Sequence, residues 1–310
     1  AGARGLRIGY EALAWGRHVN TYQQVWNIVR QADHPSLGVL LDSFHTLSLK
    51  GDPSAIADIP GDKIFFVQMA DAPILAMDVL EWSRHFRCFP GQGEFDLAGF
   101  LAPIIQSGYT GPLSLEIFND GFRAAPTRAN AADGLRSLLY LEEKTRQRLA
   151  EVAPAVPVDI LFETPPASEY DGIEFLEFAV DENLAAKLSH WLERLGFVKA
   201  GQHRSKSVSL LRQGDINLIL NCEPYSFAHN FFEAHGPSLC ATAIRVKDSA
   251  KALERAVAYK GQPYRGLVGP NELELAAVRA PDGSLIYLVD QHAGGIYQTD
   301  FNLQAASTGG

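Results

Sequence analysis

The first half of the chain alternates between apolar strand-like runs and helical patterns, and this alternation limits the fold more than any other feature. The strand-like runs are LRIGYEAL, LGVLLDSF, KIFFVQMAD and GPLSLEIFN, and a long helical pattern, AADGLRSLLYLEEKTRQRLAEV, follows the last of them. Strands that are apolar almost throughout and alternate with helices indicate a parallel sheet covered by helices. Because a complete eight-fold barrel has eight such units, the four units here predict half of a barrel, over residues 1–150.

The second half of the chain shows a different pattern. Residues 151–170 are rich in proline and predict a linker. Residues 171–300 contain a strand, an amphipathic helix and further strands, and this order repeats weakly, as in an internal duplication of a βαβββ unit. The small and polar residues 301–310 predict a flexible tail.

Charge and composition exclude several classes of function. The formal net charge is -9 and no basic patch stands out, which argues against a nucleic-acid partner. No apolar run reaches membrane-spanning length. The cysteines are scattered and lack CxxC spacing, so we expect reduced thiols and a cytoplasmic protein; they are Cys88, Cys222 and Cys240.

Each of the four predicted barrel strands ends near a side chain that carries a hard oxygen ligand. These residues are Glu11, Asp42, Gln68 and Glu116. The carboxyl ends of parallel barrel strands lie on one rim, so we expect the four side chains to converge. Three crowded carboxylates repel one another unless a cation lies among them, and this oxygen set suits Mg²⁺, Mn²⁺ or Co²⁺. The alternative is that each residue caps a loop or a helix, which is our interpretation of Asp71.

Three further residues fit a catalytic site on this rim. His45 follows Asp42 by three positions and can act as a general base, although a loop or helix-capping role is open to it. Arg87 follows the third strand and has the planar guanidinium that suits a substrate carboxylate. Ser83 can add a hydroxyl contact. Spacing alone does not separate Arg87 from its neighbours Arg84 and His85.

These motifs resemble a known family. The segments YEALAWG, LLDSFH, FVQMADAP, SRHFRCFPGQGEFD and LSLEIFNDGFR resemble the sugar phosphate isomerase/epimerase-like barrel of bacterial 3-dehydroshikimate dehydratases. The second half resembles the part of those two-part enzymes that is similar to 4-hydroxyphenylpyruvate dioxygenase. The resemblance implies the C-terminal half of a TIM (β/α)8 barrel, followed by an α+β domain of the vicinal oxygen chelate type with two βαβββ modules.

The resemblance also implies a function. It makes Glu11, Asp42, Gln68 and Glu116 the metal ligands, His45 the proton-transfer residue, and Ser83 and Arg87 the substrate-binding residues. The implied reaction is the metal-dependent dehydration of 3-dehydroshikimate to protocatechuate, in quinate and shikimate catabolism. A metal-dependent sugar or hydroxy-ketone isomerase is the alternative on the same fold.

For the second half we expect a non-catalytic assembly or binding module rather than an iron dioxygenase. The histidines that could supply iron ligands lie outside the first strands of the modules, and we expect structural or surface roles for them; they are His203, His229 and His235. A half-barrel leaves sheet edges open, so we expect a homo-oligomer. The chain opens without Met, and we expect the gene product to begin upstream.

Overall fold

The computed structural model describes residues 1–290 and 295–304. The chain divides into two compact units, Ala1–Glu163 and Thr164–Gly310. Among the described helices, none combines the length and apolar character that a membrane crossing requires. All three cysteines are free thiols, as the sequence predicts.

The first unit is a four-stranded parallel sheet with strand order β1-β2-β3-β4. The strands are β1 (Ile8–Glu11), β2 (Leu37–Asp42), β3 (Ile64–Met69) and β4 (Leu113–Leu115). The helices are α1 (Tyr22–Ala32), α2 (Ser43–Leu47), α3 (Val79–His85), α4 (Leu97–Gln106), α5 (Asp120–Ala124) and α6 (Thr127–Val152). The strand–helix alternation is confirmed, and α3 begins at Val79 after the N-cap Asp78.

Side-chain caps and an apolar core explain why these elements form. Thr21 and Gln24 close a capping box that starts α1. Asp42 ends β2 and caps α2, because its Oδ1 accepts the amide of Phe44 at 2.7 Å. The core between the sheet and its helices contains fully buried side chains from both, among them Val25, Val39, Val67 and Phe100. The caps fix where each strand passes into its helix, and this is the rim on which the polar residues lie.

The second unit is a nine-stranded mixed sheet built from two βαβββ modules, as predicted. The first module comprises β5 (Tyr170–Ala179), α7 (Glu182–Arg194), β6 (Val198–His203), β7 (Val208–Gln213) and β8 (Ile216–Asn221). Helix α8 (Phe227–His235) follows. The second comprises β9 (Ser238–Val246), α9 (Ser249–Ala258), β10 (Gln262–Tyr264), β11 (Ala276–Arg279) and β12 (Leu285–Asp290). Antiparallel pairing of β5 with β9 joins the modules.

The structure corrects two predictions about the second half and shows two elements that the sequence did not predict. The linker predicted at 151–170 begins inside α6, and its residue Leu161 packs into the core of the first unit. Strand β10 and helix α8 were not predicted. The tail predicted as flexible from residue 301 begins instead with strand β13 (Phe301–Leu303), which follows the short helix α10 (Ile296–Asp300). Strand β13 pairs with β6, and Phe301 enters the apolar core. Residues 305–310 lie outside the described part.

Candidate metal centre

The parallel sheet places the predicted strand-end residues together at the C-terminal ends of its strands. Asp42 and Gln68 are direct partners in the pairing of β2 with β3. Glu11 ends β1, and Glu116 follows the last residue of β4. Gln68 Nε2 donates to Glu116 Oε1 at 3.0 Å. Sheet register therefore produces the convergence that the sequence predicts.

His45 joins this cluster from the first turn of α2. Its Nε2 lies 3.6 Å from Glu11 Oε1 and 3.9 Å from Asp42 Oδ2. Ligand atoms of these three residues all lie within 4.8 Å of one another, which is close enough for one metal ion. The imidazole is 4 % exposed and contacts the edge of the Trp15 ring. The cap made by Asp42 sets the direction of α2 and so turns His45 toward the rim.

Arg87 lies among the same carboxylates and is fully buried. Its Nη1 donates to Asp42 Oδ2 and Glu116 Oε2, both at 2.9 Å. Its Nε and Nη2 donate to Ser83 Oγ at 3.1 and 2.8 Å. The guanidinium therefore supplies positive charge to two of the expected metal ligands, and Ser83 orients it. Ser83 and Arg87, the two predicted substrate-binding residues, thus form hydrogen bonds with each other, and Arg87 also bonds Asp42 and Glu116.

Burial and crowded charge shift the acidities of this cluster. Desolvation, followed by the charges of Asp42 and Glu116, raises the pKa of Glu11 to about 7. Desolvation and the Asp42 charge likewise raise the pKa of Glu116. Desolvation and the charge of Arg87 lower the pKa of His45 to about 3, so the imidazole is neutral at pH 7. Burial and crowding therefore disfavour the ionised form of Glu11 and Glu116, and they keep His45 neutral but weakly basic.

Two donors approach the His45 ring, one at each nitrogen. The amide of Ala14 donates to Nδ1 at 3.3 Å, and Arg87 Nη2 lies 3.5 Å from Nε2. A neutral imidazole has one acceptor nitrogen, so it satisfies only one of these donors. Both contacts are long, and exchanging one tautomer for the other breaks one of them and forms the other.

The donor set fits a divalent cation. Glu11 Oε1 and Gln68 Oε1 are buried oxygens without a hydrogen-bond donor among the described residues. A buried acceptor with no partner costs about 1–3 kcal/mol, and a cation satisfies such atoms directly. Carboxylate and amide oxygens are the ligands that Mg²⁺, Mn²⁺ and Co²⁺ accept. The residues present therefore fit the predicted kind of metal.

The structure brings together all seven residues that the sequence singled out, and it separates their neighbours. His85 instead lies beside Asp120, with Nδ1 2.8 Å from Oδ2, away from the cluster. Asp71 is buried and accepts the amides of Ala72, Gly91 and Phe95. Asp71 therefore holds the connection that follows β3, as the loop interpretation predicts.

Sequence reasoning missed the residues that position Arg87. Asn119 donates to the Arg87 carbonyl at 3.0 Å and caps α5 through the amides of Gly121 and Phe122. The Arg87 guanidinium also lies over the Phe44 ring, 4.7 Å from its centroid. The segment FNDG has the asparagine of a helix N-cap, and this signal could have identified Asn119.

Comparisons with known proteins agree with both halves of this description. Residues 1–141 match the xylose isomerase-like TIM barrel family, and residues 162–302 match the N-terminal domain family of hydroxyphenylpyruvate dioxygenase. Over its whole length the chain is 77 % identical to a 3-dehydroshikimate dehydratase of Pseudomonas putida and 74 % identical to one of Pseudomonas aeruginosa. The chain is a relative of the 3-dehydroshikimate dehydratases from end to end.

A solved structure supports the same relationship. The xylose isomerase-like TIM barrel/4-hydroxyphenylpyruvate dioxygenase fusion protein superposes with a TM-score of 0.92 at 77 % identity, over 98 % of this chain and 49 % of that one. The predicted fold class is thereby confirmed for both units. The chain spans about half the length of the curated dehydratases, 49 % in each case.

Proposed function

We propose that the first unit carries the metal centre of a hydro-lyase that dehydrates 3-dehydroshikimate to protocatechuate. The observation that supports this most strongly is the cluster of Glu11, Asp42, Gln68 and Glu116 with two unpartnered buried oxygens. The dehydratases at 77 % and 74 % identity make 3-dehydroshikimate the substrate to test first. A homo-oligomeric state belongs to the same proposal.

The four strand-end residues would hold the cation. A bound Mg²⁺, Mn²⁺ or Co²⁺ supplies Lewis acidity, which polarises a ring ketone and makes the adjacent C–H more acidic. Glu11, Asp42 and Glu116 balance its charge, whereas Gln68 contributes an oxygen without a fourth negative charge. The raised pKa values of Glu11 and Glu116 agree with this role, because burial and, after it, neighbouring negative charge disfavour the ionised carboxylates, and a cation stabilises that ionised form.

His45 is the proposed general base. With its lone pair on Nε2 the ring can take the substrate proton, and Glu11 and Asp42, at 3.6 and 3.9 Å, then stabilise the imidazolium. Arg87 is the second cause of the low pKa of His45. A substrate carboxylate that pairs with Arg87 removes part of that effect, and it leaves His45 a stronger base once substrate is bound.

The reaction then ends with loss of water. His45 takes the proton from carbon, the C–H electron pair forms a ring double bond, and the hydroxyl leaves as water with the proton that His45 returns. Tautomerisation of the ring gives the aromatic product. For Arg87 to orient the substrate carboxylate, the substrate must replace Asp42 or Glu116 at Nη1, which bonds both at 2.9 Å. Ser83 keeps the guanidinium plane in position through its contacts at 3.1 and 2.8 Å.

The metal assignment can be tested apart from catalysis. Titration of Mn²⁺ into the full-length enzyme, followed by electron paramagnetic resonance, should show weaker binding for Glu11→Gln than for the parent. Glu151→Gln is the matched control, because the Glu151 side chain is 72 % exposed. Equal Mn²⁺ affinity of parent and Glu11→Gln would remove Glu11 from the ligand set.

The reaction has its own test. Full-length enzyme is incubated with 3-dehydroshikimate and Mg²⁺, Mn²⁺ or Co²⁺, and the aromatic absorbance of the product is followed. Absorbance should rise with at least one metal and should fall to background with His45→Gln. An enzyme that forms no aromatic product with any of the three metals contradicts the proposed activity.

A further inference from the structure

The second unit contains a cavity that the metal-dependent reaction does not use. Its volume is about 170 Å³, and it lies on one face of the nine-stranded sheet. A cavity of about 150 Å³ is enough to hold a benzene ring. About half of the wall is apolar, and the side chains of that part include Phe175, Val208, Ile219, Leu275, Ile296 and Phe301. Size and lining together suit one six-membered ring.

One buried carboxyl faces this apolar space. Glu177 on β5 lines the cavity and is 8 % exposed. Asn221 Nδ2 donates to its Oε1 at 2.6 Å, and the Asn221 Oδ1 in turn accepts the amide of Glu223 at 2.9 Å. This chain fixes the orientation of the Asn221 amide and so of the carboxyl. The second oxygen, Oε2, has no hydrogen-bond donor among the described residues, so it is left to a ligand.

A phenol from β12, which β9 separates from β5 in the sheet, completes the polar pair. Tyr287 on β12 lines the same cavity, and its ring packs against Phe175 with centroids 5.9 Å apart. Its hydroxyl has no hydrogen-bond partner within the described part of the chain. Burial, followed by the Glu177 charge, raises the pKa of Tyr287 well above its ordinary value, so the phenol stays protonated. The cavity therefore offers one acceptor and one donor.

The charges around the cavity disfavour an anionic ligand. Lys206 is the one lysine or arginine among the described lining residues, and its ammonium is paired with Glu272 Oε2 at 2.6 Å. His203 also lines the cavity, but burial lowers its pKa, so it is neutral at pH 7. The remaining charged residues of the wall are acidic: Glu177, Glu272, Glu274 and Asp300. A ligand carboxylate finds no free cation here.

We propose that this cavity binds a neutral, single-ring phenol, whose hydroxyl donates to the Glu177 carboxyl and accepts from the Tyr287 hydroxyl. The ring contacts the apolar and aromatic wall, and one hydroxyl satisfies both unpartnered polar atoms. This site lies wholly within the second unit and binds without catalysis. The proposal therefore names a ligand class for the binding module that the sequence predicts in the second half.

In the test, phenol is titrated into the unmodified chain, and binding is measured by isothermal titration calorimetry. Phenol should bind, and benzoate and benzylamine should bind more weakly. Tyr287→Phe should weaken phenol binding by roughly three- to tenfold, the range that one neutral hydrogen bond accounts for. Glu177→Gln should weaken it too, because Asn221 holds the new carbonyl and turns the NH₂ group toward the cavity. Absence of phenol binding, or tighter binding of benzoate or benzylamine, overturns the proposal.

Two controls separate hydrogen bonding from a change of cavity shape. Toluene, which lacks the hydroxyl, should bind the parent and Tyr287→Phe equally. Tyr225→Phe removes a phenol hydroxyl from a side chain that is 88 % exposed and outside the cavity wall, and it should leave phenol binding unchanged. The proposed hydrogen bond is wrong if Tyr287→Phe weakens toluene binding as much as phenol binding. It is also wrong if Tyr225→Phe weakens phenol binding as much as Tyr287→Phe does.

Discussion

Replacing Gln68 by glutamate tests whether this position must be neutral. Gln68 Nε2 donates to Glu116 Oε1 at 3.0 Å, and Gln68→Glu places a carboxylate oxygen where the amide N–H was. Two unit charges at that distance repel by about 5 kcal/mol at an effective dielectric constant of 20. The substitution adds this repulsion without changing the size of the side chain.

Proton uptake limits the cost of this substitution. The new carboxyl can take up a proton and so avoid repulsion from Glu116. For a carboxyl with an ordinary pKa near 4.5, protonation costs about 3.4 kcal/mol at pH 7 but below about 1 kcal/mol at pH 5. The Glu116 side chain is 32 % exposed, and solvent lowers the repulsion further. We therefore expect the first unit to lose about 2–3 kcal/mol of unfolding free energy at pH 7. The folded-state pKa of the new group is raised, so the loss grows as pH rises above 4.5.

Urea denaturation at pH 5 and pH 7 measures this effect. Tryptophan fluorescence reports mainly on the first unit, which contains Trp15, Trp26 and Trp82. The matched control is Gln23→Glu, which adds the same charge at an exposed position of α1. Saturating Mg²⁺ should restore the stability of Gln68→Glu more than that of the control, since the added carboxylate is a better cation ligand. An equal loss at both pH values, or no difference from Gln23→Glu, would refute the reasoning.

Three further substitutions test how the structure supports its two sites. Gly93→Ala should destabilise the first unit by about 1–3 kcal/mol, because the added Cβ would clash with Asp71 Oδ1 and with the backbone of Ala72. Thermal denaturation measures this loss, and a stability equal to that of the parent contradicts it. Asn119→Ala should lower the unfolding free energy by about 1–2 kcal/mol, because α5 loses its N-cap. It should also lower dehydratase activity. Unchanged stability together with unchanged activity contradicts the role of Asn119. Burial raises the pKa of Glu272, but hydrogen bonds from Lys206 and Ser205 outweigh it and lower that pKa to about 2. The resulting stability of the second unit is present above about pH 4.5 and is lost as pH falls toward 2, and Glu272→Gln, followed by circular dichroism, should remove that part of the acid dependence.

The part of the candidate site that follows from local pattern was predictable. A β-strand that is buried on both faces tolerates a polar residue only near its end, so Asp42 and Gln68 mark the ends of β2 and β3. Parallel pairing then forces such ends onto one edge. For this reason the proposed ligands Glu11, Asp42, Gln68 and Glu116 could be grouped from the sequence before any distance was known.

The helical start signals were less complete than the strand signals. Asp42 and Asn119 are both N-caps, yet only the first lies at the end of an obvious apolar run. The short strands β10 and β13 carry no alternating pattern of their own, because they are three residues each and depend on pairing with β11 and β6. A strand that is held by its neighbour leaves little signal in its own composition.

The sequence by itself determined the two architectures, the strand ends that carry oxygen ligands, and the separation of the two halves. Only the tertiary structure decided that Arg87 pairs with Asp42 and Glu116, which lie 45 and 29 residues away in the chain. It likewise brought Glu177 and Tyr287 to one cavity from different modules. The physical reason is that periodicity and capping act between near neighbours, whereas pairing of buried charges and enclosure of a cavity depend on which distant strands become adjacent.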